Sequence, residues 1–434
     1  MDSSGLLLHE EQLKECMSGI QKVSFSYKRA ELALDHGDNS GRQHEHMAVA
    51  HHLSEPEPHK MAPCAPRSFP LSQDILYQIL DNPDILQKGH LASAALVSRI
   101  WTAPAQSALY REVDCTSTYE SRTSFDSLYD TMNAYPHLRP LLRSLCTPVY
   151  SNDEKVQQFM RLLPPHCLRQ LLLDFQFNID YPRVYLPLSF WQIPAVQTLS
   201  SLTVWYGIHN VQELATILVP TLVHLTLVFP GVEKDAFDGH YNYPIPPNLR
   251  HLTVEFSHTW IRPIYDLFIA LSPQLESFTT DGPWYVNGDF HQWRDAAIAR
   301  YGRGLKKLLL LGQDSERGRP WCPSPFLDEL IKHTTRLEHL HVVECTYTGF
   351  LFKNLPPSLQ VLEFTPDNHA IPFEEDLLDC LLHVKERKLS LSRICLHNDM
   401  CDGDGPRGEE EFARIADACA ASGIEYIYDP YESW

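Results

Sequence analysis

From residue 136 onward the chain alternates between two kinds of apolar spacing. Short stretches carry leucine or a substitute at their first, fourth and sixth positions, with polar residues between. They begin at Leu168 (LRQLLL), Leu199 (LSSLTV), Leu222 (LVHLTL), Leu249 (LRHLTV), Leu275 (LESFTT), Leu305 (LKKLLL), Leu337 (LEHLHV), Leu359 (LQVLEF) and Leu391 (LSRICL). Degenerate copies are read at Leu138 (LRPLLRSL) and Ile424 (IEYIYD). Alternation of this kind is the period of a strand with one buried face, so the fourth and sixth positions are expected to point inward. The segments between follow a helical period instead: Val156, Phe159, Met160 and Leu163; Val211, Leu214, Ala215 and Leu218; Ile264, Leu267, Phe268 and Leu271; Leu327, Leu330 and Ile331; Phe412, Ile415, Ala416 and Cys419. Proline pairs at Pro164–Pro165, Pro246–Pro247 and Pro356–Pro357 end one element and set an extended entry to the next.

Starts of the strand motif fall 22 to 33 residues apart, close to the leucine-rich-repeat period of about 20–29 residues. Helix, turn and short strand, repeated, predict an α/β architecture over 136–434. It is an irregular leucine-rich-repeat-like solenoid with a parallel sheet on its concave side. Loop insertions are expected at Phe229–Tyr243 and Gly282–Asp289. A doubly wound α/β domain, the alternative, calls for longer and more continuously Val/Ile-rich strands.

A second pattern occupies Leu71–Val113. Leu71, Ile75, Leu76, Ile79 and Leu80 crowd one predicted helix, Leu91 to Val97 a second, and Trp101, Ala105, Leu109 and Tyr110 a third. A module of about 40 residues is at the lower limit for folding alone, so apolar faces beyond its own core call for a partner. These residues resemble the F-box family. Leu71, Asp74, Ile75, Leu76, Ile79 and Leu80 match its first block, Leu96, Val97, Ser98, Arg99 and Trp101 its second, and Leu109, Tyr110 and Arg111 its third. The family proline falls on Ser72, whose hydroxyl can still cap a helix. The resemblance covers about a tenth of the chain and points to the expanded fungal F-box families. It implies a three-helix F-box at 68–113 that docks a Skp-type adaptor, and through it a cullin–RING ubiquitin ligase. The adaptor contacts it implies are Leu71, Ile75, Leu76, Ile79, Leu96, Val97 and Trp101.

Residues 1–67 read as a tail: a possible helix over 10–34, then a linker rich in His, Pro, Glu and Ser. A formal charge of −19 argues against nucleic acid as a partner, since phosphates demand a basic surface. No run of 18 apolar residues predicts a membrane span. Eleven scattered cysteines with no C-x-x-C pair, and no secretory signal, point to a reducing intracellular setting, cytoplasm or nucleus. The motifs of phosphate loops, dinucleotide folds, zinc proteases and nucleophile elbows are missing, so no catalytic residue, cofactor or metal is expected.

On such a solenoid the third, fifth and seventh motif positions face the open concave surface. The candidates for holding a protein substrate there are Trp205, His224, His251, Glu255, His339 and His341. Trp205 is the aromatic anchor, a residue type enriched at interface hot spots. The function expected is substrate recognition for a ubiquitin ligase by tethering. Two alternatives stay open: an F-box scaffold without a ubiquitylation role, and a divergent α/β enzyme.

Overall fold

The computed structural model describes residues 73–429 apart from 81–87, 98, 117–120, 151–153, 176–185, 207–210, 229–242, 256–266, 268–269, 272, 282–301, 312–326, 344–345, 366–370, 372 and 398–411. The N-terminal tail and nearly all of both expected loop insertions lie outside the described residues. The chain divides into two compact units between Leu142 and Arg143.

The first unit is helical. Its elements are α1 (Gln73–Leu80), α2 (Lys88–Val97), α3 (Arg99–Arg111), the short strand β1 (Glu112–Asp114) and α4 (Ser121–Ala134), followed by a 3-10 turn over Pro136–Leu141. Helix α3 packs against both α1 and α2. Leu76, Leu91, Ala95, Ala105 and Leu109 are buried there, and Phe125, Leu128, Met132 and Leu138 extend the core under α4. Thr102 Oγ1 donates to the Ala95 carbonyl at 2.9 Å, tying α3 to α2.

The second unit is a ladder of eleven strands: β2 (Ser144–Val149), β3 (Gln170–Phe175), β4 (Ser201–Trp205), β5 (His224–Val228), β6 (His251–Glu255), β7 (Ser277–Asp281), β8 (Lys307–Leu311), β9 (His339–Val343), β10 (Val361–Thr365), β11 (Arg393–His397) and β12 (Glu425–Asp429). Each pairs in parallel with its chain neighbours. Between them run α5 (Glu154–Leu162), α6 (Leu188–Trp191), α7 (Pro194–Gln197), α8 (Val211–Thr216), α9 (Leu327–Leu330), α10 (Gly349–Lys353), α11 (Glu374–Leu382) and α12 (Ala413–Ser422). A doubly wound sheet reverses its strand order at a switch point; here the order follows the sequence without reversal. The unit is an α/β, leucine-rich-repeat-like array.

Two hydrogen-bond devices recur along it. The N–H of the motif's first residue donates to the carbonyl three residues earlier, as in Leu222 to Val219, Leu249 to Pro246, Leu305 to Gly302, Leu337 to Thr334 and Leu359 to Pro356. At Leu249 and Leu359 this closes the turn that a proline pair begins. Next, one carbonyl receives two N–H groups of the following repeat: Arg169 from Ser200 and Ser201, Ser200 from Val223 and His224, and so on to Gln360 from Ser392 and Arg393. Register is thus fixed where each strand starts. Inward positions are buried throughout, from Leu202 and Val204 to Ile394 and Leu396, and each such side chain contributes about 1.5–3 kcal/mol.

Two expected strands are displaced. In the first copy Leu138 belongs to the 3-10 turn, and the strand begins at Ser144. The working motif therefore starts at Leu142, four residues later, where Leu145 and Thr147 fill the inward positions. In the last copy Glu425 pairs with Arg393, Tyr426 with Ile394 and Ile427 with Cys395. Ile427 therefore sits on the concave side and Tyr426 and Tyr428 inside, one residue away from the sequence expectation. An odd slip turns every side chain of a strand over.

Candidate functional site

In-register pairing arranges the concave positions in three rows. The row nearest the strand starts holds Gln170, Ser201, His224, His251, Ser277, Lys307, His339, Val361, Arg393 and Glu425. The middle row carries threonine on four successive strands, Thr203, Thr226, Thr253 and Thr279, all half-buried. It continues beyond β8 with His341, Glu363, Cys395 and Ile427. The row at the strand ends includes Asp174, Trp205, Val228, Glu255 and Asp281. From β3 to β8, basic and imidazole groups thus stand at one edge and carboxylates at the other.

His224 and His251 meet across β5 and β6, stacked with ring centroids 4.2 Å apart and planes 8° from parallel. Burial lowers both imidazole pKa values, and His224 lowers that of His251 further. Stacking a second positive charge on the first is unfavourable, so the pair favours its neutral form.

His339 and His341 join a different group. His339 Nε2 lies 3.0 Å from Glu363 Oε1, while His341 Nδ1 and His397 Nε2 each lie 3.7 Å from Glu363 Oε2. The His341 and His397 rings are 5.4 Å apart. Burial pushes the Glu363 carboxyl up, but the facing His339 and His397 imidazoles pull it down further, leaving it well below the usual carboxylate range. Burial holds His341 neutral, its pKa lowered to about 4 against the opposing pull of Glu363. His341 is only 1% exposed. It is therefore not an open contact on the concave face, contrary to the sequence expectation, because His397 and Glu363 close over it. Among the described residues no group of three or more His, Cys, Asp or Glu side chains is arranged to hold a metal ion.

Trp205 stands 37% exposed at the end of β4. Tyr206, with φ of 62°, turns the chain out of the strand in the left-handed region while its N–H donates to the Val228 carbonyl at 2.9 Å. Burial, then the Asp174 and Glu255 carboxylates, raise the Tyr206 phenol, so both acids lie within electrostatic reach of it. Burial alone raises the Glu255 carboxyl.

In the first unit the candidate docking residues part company. Leu76 is wholly enclosed and serves the unit's own core rather than an open face. Ile79 and Leu96 are exposed, Leu96 at 52%, and Trp101 is half-buried. Ile100, which the motif reading leaves out, is 57% exposed, and Tyr77 is exposed as well. Leu71 lies outside the described residues, as do the side chains of Ile75 and Val97.

No family model and no curated protein matches the chain. Among solved structures it is similar to the leucine-rich-repeat-containing protein LegL7 from Legionella pneumophila, at 12% identity and a TM-score of 0.37, over 69% of this chain and 85% of that one. It is also similar to TLR13 in its complex with ssRNA13, at 13% identity and a TM-score of 0.33, over 69% of this chain and 36% of that one. The repeat and the sequential parallel order carry the fold without these likenesses. Among the described residues no helix is long and apolar enough to cross a membrane.

Proposed function

We propose that this chain is a substrate-recognition subunit of a Skp–cullin–F-box ubiquitin ligase. The helical unit would dock a Skp-type adaptor, and the concave sheet would hold a protein substrate. The reading is carried by one observation: Tyr77, Ile79, Leu96 and Ile100, four large apolar side chains, are exposed within three short helices. Apolar surface left open in so small a module calls for a partner. Apart from Leu71 and Ser98, which lie outside the described residues, the residues of the three blocks that resemble an F-box lie on those same helices. The chain does no chemistry in this scheme; it raises the effective concentration of substrate beside the ubiquitin donor.

The test is co-expression of the full chain with a Skp-type adaptor, alongside Leu96→Asp and Ile100→Asp. Both positions are open enough for the variants to fold. Loss of co-purification in either variant is expected, because a charge would be buried unpaired in an apolar contact. Undiminished adaptor binding by both, or none by the wild-type chain, overturns the proposal.

A further inference from the structure

The structure assigns a partner chemistry to the strand-end edge of the concave sheet: a basic peptide segment, with one cationic side chain over Trp205 reaching toward Glu255. The inference rests on the reading of the concave sheet as the substrate-holding surface and says what that surface selects.

Position comes first. Glu255 on β6 lies in the same row as Trp205, reached through Val228 of β5, while Asp174, the direct register partner of Trp205 on β3, is buried. Adjacent strands are about 4.8 Å apart, so Glu255 stands about 10 Å along the row from Trp205, within reach of one long side chain laid over the indole. Asp281 occupies the next position of the same row. A guanidinium stacks on an aromatic face while its N–H groups fan out toward carboxylates, a geometry that favours arginine over lysine.

Charge follows. The described cations of the concave positions, Lys307 and Arg393, both belong to the opposite edge. Glu255 is half-buried, and no cation of the described residues acts on it. A side chain desolvated without a countercharge gains most when a ligand supplies one. The whole chain, at −19, adds long-range attraction for a basic partner. Beside the carboxylates, the half-buried threonines offer hydroxyls in line with the cross-strand direction, suited to the backbone of an extended segment.

The experiment titrates the full chain against a labelled arginine/serine repeat peptide and its glutamate/serine counterpart. It is repeated with Trp205→Ala, Trp205→Phe, Glu255→Gln and, as a control for net charge, Glu386→Gln at a remote exposed site. Trp205→Ala and Glu255→Gln are each expected to weaken the basic peptide about five- to tenfold, with Trp205→Phe retaining most of the affinity. The acidic peptide should not bind. Losses in Trp205→Ala and Glu255→Gln no larger than in Glu386→Gln overturn the inference, as does preference for the acidic peptide. Adaptor co-purification, measured on the same samples, separates the two readings: binding of adaptor but not of peptide defeats this inference alone, and the reverse defeats only the ligase reading.

Discussion

His339 Nε2 stands 3.0 Å from Glu363 Oε1, joining β9 to β10 on the concave face beside the buried His341. The groups facing His341 are Glu363, His397, His339 and Lys307, of which only the carboxylate favours its protonation.

That arrangement makes the second unit acid-sensitive. His341 is held neutral to about 4 when folded, against 6.5 in an unfolded chain, a difference corresponding to about 3 kcal/mol. A depressed folded pKa means this stability is present above 6.5 and is lost as pH falls toward 4. Glu363, also depressed, adds a further loss below its unfolded value of 4.5. Urea unfolding followed between pH 7 and pH 4 should show a falling midpoint, and His341→Asn should flatten the slope above pH 4.5. An unchanged slope in the variant would count against a buried neutral imidazole.

Asp328 ties α9 to the start of α10, twenty residues further on. Its buried carboxylate accepts from the backbone N–H of Thr348 at 3.1 Å and from the Thr348 hydroxyl, while Thr348 caps α10 by accepting from the Phe350 N–H. Asp328→Ala strands these donors and should cost about 1–3 kcal/mol in denaturant unfolding. Asp328→Asn, which keeps an acceptor, should lose less.

Gly349 begins α10 because nothing larger fits beside Asp376. A Cβ there would lie 2.0 Å from Asp376 Oδ2 and 2.6 Å from its Cγ. The carboxylate would have to swing away from Lys353 Nζ, now 2.9 Å distant. Gly349→Ala should lower stability by about 1 kcal/mol, net of the better helix propensity of alanine. Combining it with Asp376→Ala should return most of that loss; an additive double variant would refute the steric cause.

The interior thiols should be inert. Burial raises Cys380 and Cys419 to about 11, and the thiolate is the reacting species. Under native conditions iodoacetamide should label the half-buried Cys146 before either of them. All three should react at comparable rates in urea. Rapid native labelling of Cys380 or Cys419 would show that the repeats around them open locally.

The strand core was legible wherever the motif's apolar positions alternate without competition, as they do on β4 through β11. It was ambiguous where two frames overlap. LRPLLRSL offers leucines at both 138 and 142, and only the turn at Pro140 decides between them. At the last strand Gly423, left-handed with φ of 74°, ends α12 where a motif leucine would stand, and IEYIY reads equally well in either register. The stacked His224 and His251 follow from shared motif position. Glu363 is the direct register partner of His341, but the approach of His397 was not legible, because it depends on a side chain leaning diagonally from a strand two places away. The exposure of Ile100 was hidden for another reason: three short helices have too many apolar residues for spacing alone to separate core from surface.

Strict neighbour-to-neighbour pairing also bears on how the second unit comes into being. Each new strand needs only the one made just before it, and the two N–H groups at its start dock on a carbonyl already in place. Contacts this local favour rapid assembly. Growth can therefore keep step with translation, each repeat settling onto its predecessor as it leaves the ribosome and only one unpaired edge being open at any moment.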